Sequence, residues 1–130
     1  MNLESNITSI NKPTSYIFNA LTQVHEYQKL MPDSIAKFEV IDTQTFVFAL
    51  KGMPEIKLRM QSQTPNSEVV LGAASDKIPF NLKAEINEVD AENCTVQLHF
   101  HGEFNAMMAM MVKGPISNFI QTLASNMTQL

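Results

Sequence analysis

His99, His101 and Glu103 stand at i, i+2 and i+4 of an alternating segment. Their side chains share one strand face and could present two imidazole nitrogens and a carboxylate to a transition metal. Leu98, Phe100 and Phe104 occupy the intervening phase, which turns the triplet toward water. A closed metal site there would need further ligands from a neighbouring strand, such as one carrying Lys83 and Glu85. The triplet is therefore read as a solvated strand face, and neither a metal nor another cofactor is expected. His25 lies among Glu26, Tyr27 and Lys29 and reads as a surface residue. Cys94 is the one cysteine; it has no internal partner and no cationic neighbour in sequence to lower its pKa, so it reads as an inert strand residue. No Ser/His/Asp arrangement, phosphate-binding glycine loop or carboxylate pair with readable spacing occurs. Arg59, Glu85, His99 and His101 all map outward, and only Glu88, near a strand end, has an ambiguous orientation. No catalytic residue is expected, and the residues favour a non-enzymatic role.

The elements that carry these residues follow from periodicity. Residues 3–10 have mixed β character, and Asn11-Lys12-Pro13 then offers a polar cap with proline at a first helical position. Ile17, Ala20, Leu21 and Val24 fall at helical spacing, and a second short helix, residues 25–31, halts before Pro32. From Ala36 the period becomes two. Phe38/Val40, Phe46/Phe48/Leu50, Ile56/Leu58/Met60, Phe80/Leu82/Ala84/Ile86 and Val96/Leu98/Phe100 each mark an apolar strand face, with Lys57/Arg59, Lys83/Glu85 and Gln97/His99 opposite. Turn residues at 42–44, 52–54, 64–66, 76–79 and 90–93 separate the strands and imply an antiparallel meander. Residues 69–74 are apolar or small on both faces, and Gly72 marks a bulge or a close approach by another element. A terminal helix follows, with Ile116, Phe119, Ile120, Leu123, Met127 and Leu130 in one stripe. Gly114-Pro115 predicts a kink or break within it, because proline removes an i→i−4 hydrogen bond.

At 130 residues, with a formal charge of −4, the chain fits one domain, 1–130, able to bury its own core. A single arginine and the acidic balance leave no basic stripe, so nucleic acid is not an expected partner. No run approaches the length of a membrane span, and residues 1–6 lack a charged start followed by an apolar core, so a cytoplasmic location is expected.

The order strand, two short helices, six strands, long helix resembles the helix-grip fold of the START-like, or SRPBCC, superfamily, which includes birch-pollen-allergen-like proteins, lipid-transfer domains and aromatic polyketide cyclases. The residues that carry the resemblance are the proline and helix of residues 13–21 with its central aromatic, Leu30-Met31-Pro32 closing the second helix, and the terminal stretch. Residues 103–119 are similar to a run found in small bacterial (Bacteroidetes-type) SRPBCC proteins, Asn-Pro-Met-x-x-Met-Met-x-x-x-Pro-Leu-x-x-Phe, with Ala106 in place of the proline and Ile116 in place of the leucine. The resemblance implies an α+β helix-grip fold: a six-stranded antiparallel meander, curved, with the C-terminal helix packed across it.

In such a fold the concave sheet face and the inner side of the helix line a cavity. The alternation then places Phe46, Phe48, Leu58, Met60, Phe80 and Leu82 inside, with Leu98, Phe100 and Phe104 beside them. Met107, Met108, Met111, Phe119, Ile120 and Leu123 face them from the helix. Unbranched thioethers rearrange cheaply and suit varied apolar guests. The same residues would also fill a solid core, so an open cavity and a filled one both fit the sequence. The expected function is binding or carriage of an apolar small molecule such as a lipid, isoprenoid or aromatic compound, with Phe100→Asp or Met111→Asp expected to abolish retention. The alternatives are an interaction module that forms a homodimer through the terminal segment, whose one charge is Lys113, and a cyclase or hydratase of the polyketide-cyclase type.

Overall fold

The computed structural model describes residues 1–53, 55–74 and 80–130. The expected turn at 76–79 and Pro54 of the turn at 52–54 lie outside them. Two short strands open the chain, β1 (Asn2–Glu4) and β2 (Thr8–Ile10), where residues 3–10 read as one β segment. Both pair antiparallel with β8 (Asn93–Gly102), β1 along His99–His101 and β2 along Cys94–Val96. Ser5 divides them. Its backbone N–H donates to the Leu98 carbonyl at 2.8 Å, and its hydroxyl accepts from the Leu98 N–H at 2.9 Å, so a side chain substitutes for a ladder carbonyl.

Helix α1 (Thr14–Leu21) begins one residue later than expected. Pro13 is extended at the cap, and its carbonyl accepts from Tyr16 and Ile17 without side-chain capping. The next element is a 3-10 helix, Val24–Leu30. Three residues per turn put Val24, Tyr27 and Leu30 on a single line, and all three are buried.

The meander is β3 (Ile35–Asp42), β4 (Thr45–Leu50), β5 (Ile56–Thr64), β6 (Glu68–Ala73), β7 (Phe80–Asp90) and β8, antiparallel throughout. The sheet order is β1-β8-β7-β6-β5-β4-β3, with β2 on β8 as well, giving eight strands among the described residues. Gly72 is a close-approach glycine. The register of β5 shifts between Met60 and Ser62, and the extra residue, Gln61, lays its side chain over Gly72 where a Cβ would clash. The bulge therefore belongs to β5 and the glycine on β6 accommodates it.

Helix α2 (Ala106–Asn126) packs against β8, β1 and the 3-10 helix. Asn105 caps it, its side-chain oxygen accepting from the Met108 N–H at 2.8 Å. The helix runs through Pro115 without a break. Met111 and residues 113–115 are exposed, so the Met111 carbonyl that proline cannot satisfy belongs to a segment open to solvent. Near the far end, Asn126 donates to the Leu30 carbonyl at 3.0 Å and ties the helix to the 3-10 element.

Candidate ligand-binding site

The sheet and α2 enclose an apolar interior whose two ends differ. At the end under the C-terminal half of α2, Phe119, Ile120, Leu123, Ala124 and Met127 are buried. Phe119 stacks on Phe48 at 4.8 Å between ring centres, nearly parallel, and Phe46 continues the stack to Tyr27 at 5.1 Å and Phe38 at 5.4 Å. The space left between Tyr27, Leu30, Leu71, Leu98, Leu123 and Met127 is about 10 Å³, room for one water at most. This end is a filled core. The Tyr27 hydroxyl donates to the Leu21 carbonyl at 2.7 Å, and burial pushes its pKa above the ordinary phenol range.

At the other end a second aromatic cluster stands where β7 and β8 meet the start of α2. Phe80 and Phe100 are 5.3 Å apart, and Phe104 lies parallel to Phe100 at 6.1 Å. Gly102 makes this possible, because a Cβ there would come within 2.5 Å of the Phe104 ring. Phe100 is buried, whereas Phe80 and Phe104 are half-buried. On the first half of α2, Met108, Ala109 and Val112 are likewise half-buried.

No protein-family model and no curated protein matches the sequence, but solved structures match the fold. A START superfamily protein from Mycobacterium smegmatis aligns over 98% of this chain and 94% of its own, with a TM-score of 0.72 and 10% identity. Norcoclaurine synthase from Thalictrum flavum, in complex with dopamine and hydroxybenzaldehyde, aligns over 99% of this chain and 84% of its own, at TM-score 0.74 and 9% identity. A conserved protein from Geobacillus kaustophilus gives 0.71 at 11% identity, over 99% and 93%. The chain has the START-like helix-grip fold.

Within the grip, nine of the residues expected inside are buried: Phe46, Phe48, Leu58, Leu82 and Leu98, with Phe100, Phe119, Ile120 and Leu123. Met60, Phe80, Phe104 and Met108 are half-buried. Met107 and Met111 are a correction, since they are 73% and 70% exposed and turn away from the sheet. The buried stripe of α2, followed back from Leu123 through Ile120 and Ile116, arrives at Val112, Ala109 and Met108. Met107, Met110 and Met111 fall on the opposite side. Met127 of the terminal stripe completes the filled end together with Tyr27, Leu30, Val69 and Leu71, which were not among the residues expected inside. The three-residue spacing of Val24, Tyr27 and Leu30 and the phase of Val69/Leu71 were the available signals.

The histidines occupy the outer face of the grip's sheet. His99 lies between two carboxylates, Nδ1 3.6 Å from Glu4 Oε2 and Nε2 3.6 Å from Glu85 Oε2. His101 faces Asn2 through Nδ1 and Glu103 through Nε2, the latter at 3.9 Å. Each ring nitrogen looks toward a different partner, so the donors diverge, and among the described residues no three His, Cys, Asp or Glu side chains could hold a metal ion. Asn2, Glu4, Asn81, Lys83, His99 and His101, together with Leu3, Val70 and Phe100, line an open groove of mixed polarity and about 540 Å³. His25 is exposed beside Glu26, whose carboxyl is held below the usual range chiefly by its hydrogen bond from Lys29. Glu88 is exposed. Cys94 is buried, and burial pushes its thiol pKa up, away from nucleophilic use. Among the described residues, no helix is long and apolar enough to cross a membrane.

Proposed function

We propose that this helix-grip protein binds and carries an apolar small molecule, a lipid, isoprenoid or aromatic compound, at the incompletely covered end of its interior. The observation that carries this reading is the loss of burial along one helix face: Phe119, Ile120 and Leu123 are buried, while Met108, Ala109 and Val112 of the same face are half-buried, as are Phe80 and Phe104 of the aromatic cluster near the start of α2. A flat or acyl guest inserted there would finish covering both surfaces, with about 25 cal/mol gained per Å² of apolar area before ordering costs. Phe46 and Phe48 form the floor of the grip rather than a contact surface, because their end is already filled. Norcoclaurine synthase, with the same fold, holds two small aromatic molecules in its complex.

Carriage is favoured over catalysis by the chemistry of the interior. Among the described residues, the buried titratable groups are Tyr27 and Cys94, and burial raises the pKa of both, opposite to what a base or nucleophile at neutral pH requires. Native mass spectrometry of gently purified protein, followed by solvent extraction of whatever dissociates, tests the reading. A discrete adduct of an apolar compound is expected, weakened in Phe104→Ser and Met108→Asp. A clean apo mass that persists after incubation with oleate and with 1-naphthol would sink the proposal.

A further inference from the structure

The outward face of α2 carries a chemistry that the grip does not use. Met107, Met110 and Met111 stand at i, i+3 and i+4 and are 73%, 85% and 70% exposed. We infer that these three thioethers form a surface site for a soft monovalent cation, with copper(I) the biological candidate. Residues at this spacing are neighbours on a helix, about 5–6 Å apart at Cβ. The unbranched stems can then swing three sulfurs onto one ion. Neutral thioethers select soft d10 cations such as copper(I) and leave magnesium and calcium to oxygen ligands. The backbone under the triad is held in helix by the Asn105 cap on Met108.

Two other readings of the triad are weaker. It does not line the interior, because Met108, Ala109 and Val112 occupy the inward positions of the same two turns. It is also small for a protein interface. Gly114, Asn118, Gln121 and Ser125 continue the face, so the apolar patch ends after three side chains, whereas a stable interface enlists about 20–30 residues a side. What separates methionine from leucine at an exposed position is the sulfur.

The test uses silver(I) as an air-stable probe for copper(I), in full-length Cys94→Ala protein so that no thiol competes, with the methionine methyls labelled with carbon-13. One equivalent of silver(I) is expected to move the methyl resonances of Met107, Met110 and Met111, assigned by single Met→Leu variants, and to leave that of buried Met127 in place. The triple variant Met107→Leu/Met110→Leu/Met111→Leu keeps the apolar surface and should keep the fold by circular dichroism. Its silver(I) affinity should fall by about tenfold or more. Unmoved triad methyls at one equivalent, or undiminished binding by the folded triple-leucine variant, would overturn the site. Metal-independent dimerisation that shields the three methyls would overturn it too, in favour of an interface between copies.

Discussion

From Phe119 to Ala124, α2 buries four side chains against Phe48, the 3-10 helix of residues 24–30 and β8, and Met127 just beyond it is buried too, while no residue of its segment 106–115 is buried. One continuous helix thus serves as core in one half and as an incompletely covered roof in the other. Its two halves are joined at Gly114-Pro115, where the backbone is exposed and one intrahelical hydrogen bond is missing. The contrast teaches that stability and the proposed binding are assigned to different ends of the grip. The filled end holds the helix in place, so the other end is free to spend apolar surface on a guest.

The largest effect should come from the filled end. Leu123→Ala removes a side chain 2% exposed that borders a space already too small for more than one water, and the cavity should destabilise the protein by about 2–5 kcal/mol. Urea denaturation followed by circular dichroism measures it. A loss no larger than that of a surface substitution would mean that the C-terminal half is not the anchor.

Much of this division is readable along the chain, and the misreadings have physical causes. The strands announce themselves because one face is apolar and the other polar, as in Leu82/Lys83/Ala84/Glu85. The terminal stripe from Ile116 to Leu130 does so because it keeps helical phase over four turns. At Met107 and Met111 hydrophobicity and phase disagree: both are apolar, but the stripe extended backward passes through Met108, Ala109 and Val112. Filling and lining use the same residue types, so the difference between the two ends emerges only when Phe48 is seen on Phe119 and Phe104 is seen half uncovered. The 3-10 helix has the sequence pattern of a further short helix, because its three-residue period is close to the helical one over seven residues.

Tyr27 reports on the same anchor through pH. Below about pH 10 its hydroxyl is protonated in folded and unfolded chains alike, and its contribution is constant. Above that, the unfolded chain releases a proton that the buried hydroxyl retains, so stability falls as pH rises, by up to about 1.4 kcal/mol per pH unit. The Cys94 thiol acts in the same sense from a lower pH. In a Cys94→Ala background, Tyr27→Phe should lose about 1 kcal/mol at pH 8 with its hydrogen bond to Leu21, yet show a flatter decline between pH 9 and 11. Urea midpoints across that range decide it, and an unchanged slope would place the hydroxyl in water.

The junction should respond in the opposite direction. Gly114 has an ordinary helical backbone, and a Cβ added there meets nothing within 4 Å. Gly114→Ala should therefore stabilise by about 0.5–1 kcal/mol, through lower unfolded-state entropy. Amide hydrogen exchange should show the gain in residues 106–113 and spare residues 119–126. A gain spread evenly over α2 would mean that the two halves fray as one unit and that the junction does not separate them.

The smallest effect on stability carries the sharpest comparison. Met111→Asp places a charge on a side chain 70% exposed and facing away from the sheet, so stability should move by no more than about 0.5 kcal/mol. Guest retention should be unchanged, whereas Met108→Asp, three residues earlier and on the inward face, should weaken it. The pair reads helical phase directly, since both substitutions add the same charge to the same stretch of helix and differ in the direction it points. Native mass spectra of the two variants with a bound guest make the measurement. Loss of the guest from Met111→Asp as well would mean that the helix turns its outward methionines toward the sheet when loaded. The exposed Gly114-Pro115 junction is where that rotation would have to be absorbed.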